Sequence, residues 1–105
     1  MDEKAKILDI AMNLSRVGGW AADGYKIRQK KIGVFLDHNK ELINSVNTIS
    51  LPERLQKTFN RFLKEYSSLE NDGRRGPLDE MYWAERMMTW GNILTHRSSL
   101  VTSNS

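Results

Sequence analysis

The sequence predicts an all-α protein, a compact antiparallel four-helix bundle. Three observations carry that expectation. Apolar residues recur at intervals of three and four in four segments, the period of a helix with a buried face. Glycine, proline and short polar side chains separate those segments, and the separations are short, so consecutive helices should pack antiparallel. No segment alternates like a strand; Val34-Phe35-Leu36 is the most strand-like run and lies inside a helical period. The other arrangement open to this pattern is a helical hairpin, made by the second and third helices, that completes its core by dimerising.

The first helix is expected over about 2–17. Ile7, Ile10, Ala11, Leu14 and Val17 form its stripe, and Asp2 and Glu3 lie in the first turn, where the helix dipole favours them. Gly18-Gly19 reads as its stop and Trp20-Ala21-Ala22 as a connector. The second helix is expected over 24–47, with Asp23 as a cap and Tyr25, Ile32, Phe35, Leu42 and Val46 on one side. Pro52 fits the first turn of a third helix over 52–71, which carries Leu55, Phe59, Phe62, Tyr66 and Leu69 and should stop at Asp72-Gly73. Arg74-Arg75-Gly76 reads as a loop, and Pro77 opens a fourth helix over 77–101. A single helical domain is expected over 1–101, followed by a frayed polar tail over 102–105.

The fourth helix is apolar in more directions than one buried face requires. At about 100° per residue, Trp83, Met87, Trp90, Leu94 and Val101 share a tight stripe. Tyr82, Ile93 and Leu100 form a second stripe about 100° away. Met81, Ala84, Met88 and Gly91 occupy much of a third side, so this helix should lie at the centre of the fold or between the fold and a partner. Ala84, Gly91 and Ser98, each seven apart, make a small-residue seam that admits a close neighbour, internal or from a second subunit.

Composition narrows the chemistry. The chain has 105 residues, no cysteine and a net charge of +3. Disulfides, thiolate metal sites and cysteine nucleophiles are excluded. Met1-Asp2-Glu3-Lys4 lacks the start of a secretory signal, and no apolar run approaches the ~20 residues of a membrane span, so a cytoplasmic location is expected. A mild basic excess suits an acidic partner, though many ordinary proteins share it.

Two surfaces stand out. Arg54, Lys57, Arg61 and Lys64, spaced 3, 4 and 3, form a basic ridge opposite the apolar stripe of the third helix. With Arg74 and Arg75 they could contact phosphates of RNA or DNA; the plain alternative is a solvated outer face. Ile27 and Val34 lie off the core stripe of the second helix and, with Tyr82, Ile93 and Leu100, are the candidate protein contacts. Catalysis is not expected. The two histidines, His38 and His96, are far apart, and neither sits in a pattern that holds a metal. Gly73-Arg74-Arg75-Gly76 lacks the lysine and hydroxyl of a Walker loop. No metal or cofactor site is assigned. The expectation is a non-catalytic protein-interaction, regulatory or assembly module, a homodimer included, acting through the C-terminal helix; the alternative is a helical protein that binds RNA or DNA backbone.

Overall fold

The structure is a computed structural model and describes residues 2–100. Those residues form three helices: α1 (Glu3–Ser45), α2 (Glu53–Arg75) and α3 (Glu80–Ser99), with one 3-10 turn, Thr48–Ser50, between α1 and α2. The described residues contain no strand. Among them no helix is long and apolar enough to cross a membrane.

The count of helices differs from the four expected, and the reason lies in two sets of glycines. A straight helix of 43 residues would be about 64 Å long, yet the molecule measures 42 × 21 × 20 Å. α1 is broken at Gly24, whose φ of 157° and ψ of 92° lie where glycine alone is comfortable. The two arms, 3–23 and 25–45, fold back on one another. Lys6 Nζ donates to the Ser45 carbonyl at 2.9 Å, and Asn13 Nδ2 donates to Asn39 Oδ1 at 3.0 Å. Trp20 meets Phe35 edge-on at 4.9 Å. The expected stop at Gly18-Gly19 and the connector after it are therefore corrected: both glycines are helical, and so is Trp20. Gly18 marks a close approach instead, since a Cβ there would lie 2.9 Å from the Ala84 carbonyl.

The other boundaries shift by local capping. α2 starts at Glu53 with Pro52 as its cap, and it continues to Arg75, past the expected stop; Gly76, with φ 95°, ends it. The Gly73-Arg74-Arg75 segment is thus the last turn of a helix and not a loop. α3 starts at Glu80, three residues after Pro77, because the Asp79 carboxylate accepts the Tyr82 N–H at 2.9 Å. Val101 and the tail over 102–105 lie outside the described residues.

One core serves all three helices. Ile7, Ile10, Leu14 and Val17 of the first arm, Ile32 and Leu36 of the second, Leu55, Phe59 and Phe62 of α2, and Met87 and Leu94 of α3 are fully buried. The Trp83–Met87–Trp90–Leu94 stripe is buried by this chain alone, so the hairpin that needs a second copy to cover its core is not the arrangement found. Phe62 packs on Trp90 at 5.5 Å, and Trp83 Nε1 donates to the Leu69 carbonyl at 2.8 Å. The small-residue seam of α3 faces inward. At Gly91 a Cβ would lie 2.5 Å from Ser15 Oγ and 3.0 Å from the Ala11 carbonyl, so the close neighbour is the first arm of α1.

Candidate functional site

The face between α2 and α3 carries two recesses. The first, of about 500 Å³, lies at the turn joining the two helices and is lined by Leu69, Pro77, Leu78, Tyr82 and Trp83, with Asp72, Arg75 and Asp79 among its polar margin. Its local origin is a helix start that remains open. Leu78 precedes the Asp79 cap, and Trp83 stands four residues into α3; an apolar pair in those positions commonly closes into a staple. Here Leu78 is 107% exposed. Met81 and Tyr82 beside it are 55% and 60% exposed. Trp83 is buried, with its indole N–H committed to Leu69. Tyr25 closes the same end of the molecule: its hydroxyl donates to the Gly73 carbonyl. Burial first, then the nearby Glu80 carboxylate, pushes that hydroxyl above its ordinary range.

The second recess, of about 330 Å³, lies farther along the same face. α2 contributes Thr58 and Arg61; α3 contributes Trp90, Asn92, His96 and Arg97, and Ile93 lies half-buried against the core. No carboxylate lines this groove. Arg61, His96 and Arg97 are all exposed. Of the ridge only Arg61 lines it; Arg54, Lys57 and Lys64 lie beside it on the same helix, Arg54 and Lys57 exposed and Lys64 exposed likewise. Lys57 is shared with Glu53 at 3.3 Å. Among the described residues no carboxylate pairs with Arg54, Arg61, Lys64 or Arg97.

The structure separates several residues that the sequence grouped. Arg74 is engaged by Asp37 at 2.8 Å and Glu70 at 2.9 Å, which raise its pKa, and it braces α2 against the second arm of α1. Arg75 pairs with Asp72 at 3.1 Å, on the margin of the first recess. Neither is a free extension of the ridge. Ile27 is 86% exposed and Val34 47% exposed, both on the second arm of α1. Leu100, 56% exposed, lies about 27 Å along α3 from Tyr82. The five candidate protein contacts therefore do not form one patch, and only Tyr82 borders the first recess. The sequence pattern placed Leu78 in the first turn of a helix opening at Pro77, and it gave His96 and Arg97 no place in a binding site.

Between the recesses the face is clamped. Arg86 makes two 2.7 Å hydrogen bonds to Glu65, and Trp90 Nε1 faces the same carboxylate without a well-formed bond. The Arg86 hydrogen bonds hold the Glu65 carboxyl below its usual range, and desolvation only partly opposes them. Deeper in, Asn13, Asn39 and Tyr66 place polar groups inside the core, and burial drives the Tyr66 hydroxyl far above its ordinary range. Among the described residues no three His, Asp or Glu side chains gather as a metal site. No protein family, no curated protein and no solved structure matches the chain.

Proposed function

We propose that this chain is a non-catalytic protein-interaction module of the cytoplasm, acting through the start of its C-terminal helix. Its scaffold reads as an antiparallel four-rod bundle in which α1 supplies two rods. The observation that supports docking is Leu78, wholly exposed and lining with Tyr82 the apolar recess over Trp83. Large apolar side chains clustered at a recess, rather than scattered singly, mark interaction surfaces. The partner offers an apolar side chain or helix edge to that recess; a second copy of this chain is one such partner.

The test compares wild type with Leu78→Asp by sedimentation over a range of concentrations and by capture from the source lysate. Leu78 is outside the core, so the variant should unfold within about 0.5 kcal/mol of wild type. Self-association abolished by Leu78→Asp identifies the partner as a second copy. A captured protein lost by the same substitution identifies another. Binding that survives Leu78→Asp would move the docking surface elsewhere.

A further inference from the structure

We propose that the groove between α2 and α3, together with the basic ridge of α2 that enters it at Arg61, is a phosphodiester-binding surface for nucleic acid. The inference stands apart from the apolar recess and uses different residues. Arg61 is its centre. Arg97 and His96 approach from α3, and Arg54 and Lys64 continue the row along α2.

Three observations converge. First, no carboxylate offsets the charge in the groove: none lines it, and Arg54, Arg61, Lys64 and Arg97 have no carboxylate partner among the described residues. Second, two helices contribute. The dipole at the end of α3 accounts for His96 and Arg97 there, but it does not account for Arg61 arriving opposite them from α2. Third, the row is periodic. Arg54, Lys57, Arg61 and Lys64 span about 15 Å in steps of about 5 Å, with Lys57 shared with Glu53. A repeating line of point charges suits a repeating line of phosphates better than it suits one compact anion. Guanidinium groups at the centre add paired N–H donors matched to phosphate oxygens. The Asn92 side chain, exposed in the same groove, adds a further donor. The contacts described are to the backbone, so the surface carries affinity without base readout.

The experiment is fluorescence anisotropy with a short labelled single-stranded RNA and a labelled DNA duplex, each titrated with the full chain at several salt concentrations. Four phosphate contacts on a single strand predict a log–log salt slope near −2.8, or about fiftyfold weaker binding between about 50 and 200 mM salt. Arg61→Glu and Arg97→Glu should each weaken binding at least about tenfold and flatten the slope by about one. Lys31→Glu is the control. It makes the same charge change on α1, outside the groove lining, where the ammonium lies 4.9 Å over the Trp20 ring, and it should leave affinity nearly unchanged. Thermal unfolding followed by circular dichroism establishes that each variant is folded. The comparison of RNA with duplex tells which backbone the groove accommodates. No binding, a flat salt dependence, an equal loss in Lys31→Glu, or displacement of the RNA by polyglutamate as readily as by unlabelled RNA would each overturn the proposal; the last would assign the groove to an acidic protein.

Discussion

α3 meets its two neighbours in opposite ways. Against the first arm of α1 it presents Ala84 and Gly91, and the backbones come so close that a Cβ added at Gly91 would crowd Ser15 and the Ala11 carbonyl. Against α2 it presents rings and long side chains: Trp90 on Phe62, Trp83 on the Leu69 carbonyl, Arg86 on Glu65. Small residues bring two helices into continuous contact and leave nothing open between them. Large ones hold helices apart and leave corners, and both recesses lie on this second face. The first interface is closely fitted, and the second leaves open surface.

Four substitutions test that contrast, in falling order of effect. Trp90→Ala removes the largest side chain shared by the α2–α3 packing and the floor of the cationic groove. It should cost about 3–5 kcal/mol in chemical unfolding. An unchanged midpoint would put Trp90 outside the core. Gly91→Ala tests the tight side. Overpacking costs about 1–3 kcal/mol and the gain in helix propensity returns about 1, so a net loss of up to about 2 kcal/mol is expected. A gain in stability would mean that the seam has slack.

The clamp between the recesses is tested by pH. Arg86 lowers the Glu65 carboxyl in the folded state. Its contribution is therefore complete above the unfolded carboxyl pKa of about 4.3 and is lost as pH falls through the lower folded value. Both side chains are about a third exposed, at 30% and 36%, so screening limits the pair to about 0.5–1 kcal/mol. Wild type should exceed Glu65→Gln by that amount at neutral pH, and the gap should close in acid. A gap constant with pH would assign the effect to packing. The smallest change is Gly33→Ala. Nothing lies within 4 Å of a Cβ at that helical position, so the substitution should stabilise by about 0.5–1 kcal/mol. Set beside Gly91→Ala, one chemical change takes opposite signs at two helical glycines.

The sequence carried those elements whose signal is local. The stripe Leu55, Phe59, Phe62, Tyr66 and Leu69 defined the buried face of α2, and all five are buried. The Trp83–Leu94 stripe likewise located the buried face of α3. The basic ridge was legible as one face because Arg54 to Lys64 share a single helix. The groove was not, since Arg61 and Arg97 are 36 residues apart and meet only across a helix pair. Leu78 offered no signal, since the pattern put it inside a helix opening at Pro77, whereas the helix is capped by Asp79.

What the sequence determined by itself was helical content, the direction of each buried face and the charge of the outer face of α2, because periodicity fixes which side chains share a side. Tertiary structure decided what each glycine does. Gly18 and Gly19 looked like a stop and are helical; Gly24 looked like the residue after a cap and is the reversal of α1; Gly73 looked like a loop and is the last turn of α2, against Trp83. Glycine permits a turn and a close approach equally, and only the position of the neighbouring helix selects between them.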